Sequence, residues 1–200
     1  MRFGRINRRE FVKVAGLSAA ALVVGRRAAL GKTEEPQGGT NAAAGAEAPV
    51  ARVPTRKFGR TGVEVPMLAL GGIFDVPSNQ LVLEQAYAHG VTYWDTAYSY
   101  GGGRSEQGIG AFLERYPERR QHIFLVTKTG ARDPQGMTAQ LNESLQRLKT
   151  DYVDLYLLHG ISDPRVLTER IREWAEQAKR EKRIRLFGFS THGNMEMCLE

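Results

Sequence analysis

The chain has 200 residues, of which 42% are hydrophobic and 25% are charged, a composition typical of a globular protein with one sizeable core. Its net charge of +6 is confined to residues 1–27, and the remaining residues carry 21 basic and 21 acidic side chains. This distribution argues against a nucleic-acid-binding face on the body of the protein. Cys198 is the single cysteine, which excludes an intramolecular disulfide, and we expect a small buried side chain rather than a reactive thiol.

Residues 1–30 have the features of an export signal. An arginine pair, Arg8 and Arg9, precedes Phe11 and an apolar stretch, residues 14–25, that is rich in alanine, glycine and valine. This stretch is too short for the roughly 30 Å hydrocarbon core of a bilayer, so no membrane span is predicted. Because it is apolar on all sides, an amphipathic basic helix fits less well. The pattern resembles the bacterial twin-arginine signal, which implies recognition by the twin-arginine export machinery and a periplasmic location.

Residues 31–52 are rich in glycine, alanine, glutamate and proline and are predicted to form a flexible linker. From residue 53 to residue 200 the pattern is that of a folded domain, which opens with a small hairpin from Arg56 to Val65. Five strand candidates follow, at residues 67–70, 92–95, 123–127, 152–158 and 184–189. Helix candidates lie between them, at residues 78–89, 105–115, 138–148 and 167–182, and a further one begins near Asn194.

The strand candidates are nearly continuous apolar runs that alternate with helices. Such runs are typical of parallel strands that are covered on both faces and joined by right-handed crossovers. A doubly wound sheet and an eight-stranded barrel both have this pattern. A doubly wound nucleotide-binding sheet should show a glycine-rich turn of defined spacing after its first strand. Gly71-Gly72 lacks that spacing, and Gly101-Gly102-Gly103 follows a different strand.

Ionisable side chains directly follow three successive strand candidates. These residues are Asp95, Lys128 and His159. Carboxyl ends of neighbouring parallel strands meet at one edge, so the three side chains would point into one mouth, where β/α barrels build their active sites. Taken singly, each also has a structural interpretation, as a helix cap, a solvated lysine and a buried core histidine. Together they predict an α/β fold, a (β/α)8 TIM barrel present in part, with about five of its eight strand-helix units.

Two sequence blocks carry a resemblance to a known family. Residues 95–110 read DTAYSYGGGRSEQGIG, and residues 144–159 contain SLQRL, DYVDL and LH. In this order and at this separation, both blocks resemble the aldo-keto reductases, and the resemblance extends from about Arg56 to the end of the chain. The family's catalytic group is an aspartate, a tyrosine five residues later, a lysine and a histidine. By resemblance these fall on Asp95, Tyr100, Lys128 and His159.

The resemblance implies reduction of an aldehyde or ketone by NADPH. We expect Tyr100 to supply a proton, since negative charge develops on the carbonyl oxygen as hydride adds. An ammonium group beside a phenol favours the phenolate, so Lys128 would assist Tyr100, and Asp95 would hold Lys128 by a salt bridge. His159 would donate a hydrogen bond to the substrate oxygen. Tyr98 is a rival proton donor that the motif spacing leaves as a wall or packing residue, and no metal site is predicted.

The chain departs from the family after its fifth strand. Typical members place there a Ser-Asn pair that holds the nicotinamide amide, whereas this chain has Ser190-Thr191-His192. Ser190 is carried over as a cofactor contact, with Thr191 in the place of the asparagine. His192 either replaces the missing amide contact or caps the helix that starts at Asn194.

The number of strands is the larger departure, because a complete barrel needs eight units and about 250 residues. The family's later phosphate-binding loops would lie beyond Glu200. We therefore expect the 200-residue chain on its own to be marginally folded or prone to aggregation and to lack measurable reductase activity. The alternative function is a catalytically silent barrel fragment that only binds a ligand or partner. Saturable nucleotide binding would separate the two.

Overall fold

A computed structural model describes residues 52–199, with side chains described as far as Cys198. The predicted export signal and all but the last residue of the predicted linker lie outside the described residues, and both stay predictions. Within residues 52–199, no helix is long and apolar enough to cross a membrane.

The described chain begins with an antiparallel hairpin, which confirms the one expected from the sequence. Its strands are β1 (Thr55–Lys57) and β2 (Glu64–Pro66). Gly59 and Gly62 in the connection have φ values of 55° and 76°. Glycine adopts this left-handed backbone without strain, so the turn can be tight.

Five parallel strands form the main sheet, and helices connect them. The strands are β3 (Ala69–Gly71), β4 (Tyr93–Asp95), β5 (Phe124–Thr129), β6 (Val153–Leu158) and β7 (Ile184–Phe189). The helices are α1 (Gln80–Ala88), α2 (Arg104–Arg115), α3 (Pro134–Leu148), α4 (Glu169–Arg180) and the short α5 (Met195–Leu199).

The strand order distinguishes the two architectures that the sequence left open. Each new strand is added beside the previous one, in the order β3-β4-β5-β6-β7, and every pairing is parallel. A doubly wound sheet reverses direction at a switch point, whereas a barrel does not. The observed order is that of a partial (β/α)8 barrel and confirms the predicted fold class.

Successive side chains along each strand point to opposite faces of the sheet. Tyr93, Val126 and Leu155 contact the hairpin side chain Val65 and its neighbours, and we call this side the inner face. The intervening side chains, such as Trp94, pack against the helices on the other side. Both faces are therefore buried, as the continuous apolar runs predicted.

The element boundaries differ from the predicted ones in two informative places. The first strand begins at Ala69 rather than residue 67, because the Met67 N–H donates to the Pro54 carbonyl and so belongs to the end of the hairpin. Helix α3 begins four residues earlier than predicted. Its N-cap is Asp133, whose carboxylate accepts a hydrogen bond from the Gly136 N–H, an arrangement that stabilises a helix start.

Helices α2 and α3 approach each other so closely that only glycine fits at their contact. A Cβ atom on Gly110 would lie 1.9 Å from the backbone oxygen of Arg147. Gly108, on the same helix, fits against Pro77 for the same reason, with its Cβ position 2.7 Å from the Pro77 nitrogen. The two helices thus form a rigid frame behind strands β4 and β5.

Among the described residues, β3 pairs only with β4, and β7 pairs only with β6. A groove of about 720 Å³ runs beside β3 and α1, with Leu68, Leu70, Leu81 and Val82 among the side chains that line it. In a closed barrel, such edges and grooves are the places where further strand-helix units pack. None of the groove's lining residues belongs to the polar group at the strand ends.

Candidate active site

The polar group predicted from the sequence lies at the carboxyl end of the sheet, on its inner face. Asp95 is the last residue of β4, Lys128 is the second-to-last residue of β5, and His159 directly follows β6. Each is two residues beyond an apolar side chain of the inner face, so the two-residue strand period brings them to the same side. The His159 N–H donates to the Thr129 carbonyl over 2.9 Å, which fixes the position of His159 beside β5.

The Lys128 ammonium is the centre of this group, with its side chain only 6% exposed. It donates to Asp95 Oδ1 over 2.5 Å and to the backbone oxygen of Thr96 over 2.8 Å. Its third described partner is the Tyr100 hydroxyl, at 3.4 Å. A buried cation requires such partners, because burial without them is costly. The three contacts leave Nζ facing the phenol oxygen.

Tyr100 lies in the loop between β4 and α2. Its ring packs edge-on against the His159 imidazole, with centroids 5.6 Å apart and planes at 75°. Lys128 Nζ lies 4.8 Å from the centre of the same ring. Within residues 52–198, the Tyr100 hydroxyl accepts from Lys128 and donates to no side chain or carbonyl. The structure therefore brings Asp95, Tyr100, Lys128 and His159 together, and we call these four residues the strand-end group. The phenol proton of Tyr100 is free to be donated to a bound molecule.

Tyr98, the rival donor, points to a different place. Its hydroxyl donates to Glu143 Oε2 on α3 over 2.7 Å, and its ring stacks on the Arg147 guanidinium at 4.6 Å. The hydrogen bond to the Glu143 carboxylate raises the pKa of Tyr98 above its usual value. A phenol that already donates its proton to a carboxylate is a poor source of a proton for a substrate.

The surroundings of His159 favour its neutral imidazole over the charged form. Burial lowers the pKa of its imidazole below the usual 6.5, and the positive charge of Lys128 and the neighbouring His192 lower it further. The imidazole makes no hydrogen bond to another residue of the described chain, so one ring N–H is free to donate. Arg132 holds its backbone, since Nη2 donates to the His159 carbonyl over 2.6 Å.

The residues after β7 contribute one free hydroxyl to the same end of the sheet. Ser190 Oγ accepts a hydrogen bond from the Gly160 N–H at 2.9 Å, and its own proton has no acceptor within residues 52–198. Thr191 Oγ1 donates to the Gly193 carbonyl over 2.5 Å, so this hydroxyl is already engaged in its own loop. His192 is exposed.

One set of residues was missed by sequence reasoning. Arg147 bridges the carboxylates of Glu106 and Glu143 and also contacts the Tyr98 carbonyl, which connects two helices to the Tyr100 loop. The sequence placed Glu106 and Arg147 inside the two family-like blocks, but their pairing across 41 positions left no periodic signal. The available hint was a carboxylate, Glu106, close to two glycines, Gly108 and Gly110, in the helix that follows the Tyr100 loop.

A second missed set lies at the opposite end of the sheet. The Asp154 carboxylate accepts hydrogen bonds from Arg120, Arg185 and the Leu125 N–H. We call these residues the Asp154 network. No group of three or more His, Cys, Asp or Glu side chains in the described chain is arranged to hold a metal ion.

Comparison with known proteins places this geometry in a family context. The chain is 33% identical over 151 residues to the oxidoreductase YqkF of Bacillus subtilis, an alignment that covers 68% of this chain and 48% of YqkF. It is 32% identical over 158 residues to the aldo-keto reductase yakc [NADP(+)] of Schizosaccharomyces pombe, covering 69% of this chain and 45% of that protein. The chain thus spans about half the length of the curated relatives that it matches.

Solved structures of aldo-keto reductases are similar to this chain in fold. The aldo-keto reductase AKR11C1 of Bacillus halodurans, in its holo form, superposes with a TM-score of 0.63 at 30% identity, covering 70% of this chain and 51% of the other. The thermostable aldo-keto reductase Tm1743 gives a TM-score of 0.61 at 34% identity, covering 68% of this chain and 53% of the other. Residues 69–199 match the model of the Aldo/keto reductase family. The sequence blocks, the barrel order and the strand-end group thus agree in one conclusion, that this chain belongs to the aldo/keto reductase family.

Proposed function

We propose that this chain carries the catalytic residues of a reductase that converts an aldehyde or ketone to an alcohol with NADPH. The observation that carries the proposal is the convergence of a phenol, an ammonium and an imidazole of lowered pKa at one end of the sheet, with the phenol proton free. Membership of the family supports oxidoreductase activity in general. The preference for NADPH follows the family resemblance and is supported by the NADP(+) in the name of the fission-yeast relative.

Tyr100 is the proton donor in this proposal. When bound, a reduced nicotinamide would supply a hydride to the carbonyl carbon. The electron pair of the C=O π bond would move to the oxygen, which would take the Tyr100 proton. The Lys128 ammonium, 3.4 Å from the phenol oxygen, stabilises the phenolate that remains. Asp95 keeps Lys128 in place, because the 2.5 Å contact fixes Nζ on the side of the phenol.

His159 orients the substrate. A neutral imidazole can donate one N–H to the carbonyl oxygen without adding a second cation beside Lys128. The edge-on packing of Tyr100 against His159 brings the phenol hydroxyl and the imidazole to the same small volume. An oxygen placed between them would receive one hydrogen bond and one proton, which polarises the carbonyl toward reduction.

Ser190 is the residue of this chain best suited to hold the nicotinamide amide. Its free hydroxyl proton can donate to a carboxamide oxygen, and it follows β7 at the same end of the sheet as the strand-end group. Thr191, whose hydroxyl is engaged with Gly193, would contact the cofactor only through its backbone. The alternative of a silent binding module is not favoured, since the matched relatives include proteins named as aldo-keto reductases.

The experiment replaces Tyr100 with phenylalanine in the protein at the full length that its gene encodes. NADPH oxidation with a reactive aldehyde should fall by about 10²–10⁴-fold, because the ring stays and only the acid is lost. NADPH affinity, measured by fluorescence titration, should stay within about twofold of wild type. A fully active Tyr100→Phe enzyme would show that the donor is misassigned. Absence of saturable NADPH binding in the wild-type protein would favour the binding-module alternative.

We also propose that the protein reaches the periplasm through the twin-arginine export machinery. The support is the sequence of residues 1–30 alone, with its Arg8-Arg9 pair and short apolar stretch. Arg8→Lys together with Arg9→Lys should retain the protein in the cytoplasm, as seen by fractionation and immunoblotting. Equal periplasmic recovery of the double variant and the wild type would remove the export proposal.

A further inference from the structure

The loop that carries Tyr100 has little conformational restraint of its own. Gly101, Gly102 and Gly103 follow the tyrosine directly, with φ values of 59°, 65° and 95°. Three successive glycines in left-handed conformations have many alternative backbone states of similar energy. The 3.4 Å separation of the Tyr100 hydroxyl from Lys128 therefore needs a restraint from outside the loop.

Arg147 supplies contacts at both ends of that loop. Before the tyrosine, its Nη1 donates to the Tyr98 carbonyl over 3.2 Å and its guanidinium lies over the Tyr98 ring. After the tyrosine, it packs against Gly103 so closely that a Cβ atom there would be 2.5 Å from Arg147 Cζ. Tyr100 lies between these two points of contact.

Arg147 also reaches the strand that carries Lys128. Its Nη1 lies 3.2 Å from Glu106 Oε2, and Glu106 Oε1 accepts a hydrogen bond from the Thr127 hydroxyl over 2.7 Å. Thr127 immediately precedes Lys128 in β5. Glu106 is fully buried and Arg147 is 16% exposed, so solvent screens this pair weakly. The chain of contacts thus connects the Tyr100 loop to the Lys128 strand through two helices.

A buried ion pair of this kind is weak evidence for stability, because desolvation offsets its Coulomb attraction. Its directional hydrogen bonds, however, fix geometry more strictly than apolar packing does. Both elements that Arg147 joins carry a member of the strand-end group. We propose that Arg147, acting with Glu106, is a positioning residue that sets the separation of the Tyr100 phenol from the Lys128 ammonium. This inference rests on the proposed function for its catalytic consequence, whereas the positioning itself can be measured without turnover.

The first experiment uses nuclear magnetic resonance of the protein at the full length that its gene encodes, labelled with ¹³C at tyrosine Cζ. The Tyr100 resonance is assigned from its loss in Tyr100→Phe. In Arg147→Lys, which keeps the charge but loses the planar fork, the resonance should shift or broaden. Glu106→Gln, which keeps the shape but removes the carboxylate charge, should have a similar, smaller effect. Lys149→Met is the matched control, since it removes a cation at the end of the same helix whose pair with Glu114 is exposed at 3.8 Å.

The second experiment measures kinetics at the full length that the gene encodes. In Arg147→Lys, kcat should fall by about 10–100-fold, with KM for the aldehyde and affinity for NADPH within about twofold of wild type. Arg147→Met removes the charge as well as the planar fork. If Arg147→Met does not fold, Arg147→Lys and Glu106→Gln still test whether Arg147 positions Tyr100. An unchanged Tyr100 resonance with unchanged kcat, alongside a lowered melting temperature, would show a purely structural ion pair and overturn the inference. A fully active Tyr100→Phe enzyme would contradict the proposed function instead, and the resonance would still decide the positioning.

Discussion

The two ends of the parallel sheet both bury charged side chains, but they use them differently. At the amino end, the Asp154 carboxylate is 2% exposed and accepts from Arg120 at 3.0 Å, Arg185 at 2.9 Å and the Leu125 N–H at 2.9 Å. Arg120 in turn donates to Thr150, Ile123 and Tyr152. The Asp154 carboxylate thus has three donors within the fold, and Arg120 has four acceptors.

At the carboxyl end, hydrogen-bonding capacity is left over. Lys128 is saturated by Asp95, Thr96 and Tyr100, but within the described chain the Tyr100 proton and the His159 ring N–H have no acceptor. Both side chains are only partly buried, so water or a ligand can accept these hydrogen bonds. Under the proposed function, free donors rather than buried charge itself mark the end of the sheet where the reaction takes place.

The largest change in stability is expected from Asp154→Ala. Removing this carboxylate takes one acceptor from each of two arginines and leaves the buried Leu125 N–H unpaired, at a cost of about 3–5 kcal/mol in the free energy of unfolding. Urea denaturation measures the change. Asp151→Ala is the control, because this exposed aspartate, three residues earlier, should change stability by less than about 0.5 kcal/mol. Equal effects of the two substitutions would remove the structural role of the Asp154 network.

Gly110→Ala should have the next largest effect, because it disturbs the α2–α3 frame behind the strands. A methyl group 1.9 Å from the Arg147 backbone oxygen requires the helices to separate. Overpacking of this kind typically costs about 1–3 kcal/mol. Gly193→Ala, with open space around the added methyl, is the control. Thermal unfolding measures both, and a Gly110→Ala protein as stable as wild type would mean that the helices are not in close contact.

Much of this architecture could be predicted from the sequence. The strands were visible as apolar runs because both faces of the sheet are buried, and the polar residues at their ends, such as Asp95 and His159, stood out against those runs. Because the carboxyl ends of parallel strands meet at one edge, these residues were expected at one mouth. Boundaries were less predictable where a tertiary contact decides them, as at Met67, whose N–H belongs to the hairpin.

The pairings between distant charged residues could not be predicted. Arg147 and Glu106 are 41 positions apart, and Arg120 and Asp154 are 34 apart. A charged residue on a helix is usually solvated, and only the closeness of α2 to α3 turns Arg147 inward. That closeness depends on Gly110, which in the sequence is one of 22 glycines.

A third prediction concerns the pH response of the carboxyl end. Burial and the charges of Lys128 and His192 lower the pKa of His159, so the folded state binds its proton less readily than the unfolded chain does. The stability contributed by neutral His159 is present above pH 6.5 and is lost as the pH falls from there toward the lower folded pKa. The imidazole midpoint, followed by nuclear magnetic resonance, should lie below 6.5 and rise in His192→Asn. A midpoint at or above 6.5 would contradict the neutral donor.

The smallest effect is expected at Ser144, on α3 between the two ends. Its hydroxyl is buried and has no hydrogen-bond partner in the described chain. Ser144→Ala removes this unsatisfied group and favours the helix, so stability should rise by up to about 1 kcal/mol. Chemical denaturation measures the gain. Destabilisation by Ser144→Ala would indicate that a water molecule bridges the hydroxyl.

Under the proposed function, the carboxyl end of the sheet performs chemistry and the amino end maintains the fold. The most direct measurement makes the same kind of change at both ends, Lys128→Met and Arg120→Met, and determines kcat and unfolding free energy for each at the full length that the gene encodes. Lys128→Met should lower kcat by at least about a hundredfold with the smaller loss of stability, since the phenolate loses its cation. Arg120→Met should lower stability and leave kcat per folded molecule unchanged. If Lys128→Met retained wild-type kcat, or if Arg120→Met lost activity while remaining folded, the division of roles between the two ends would be wrong.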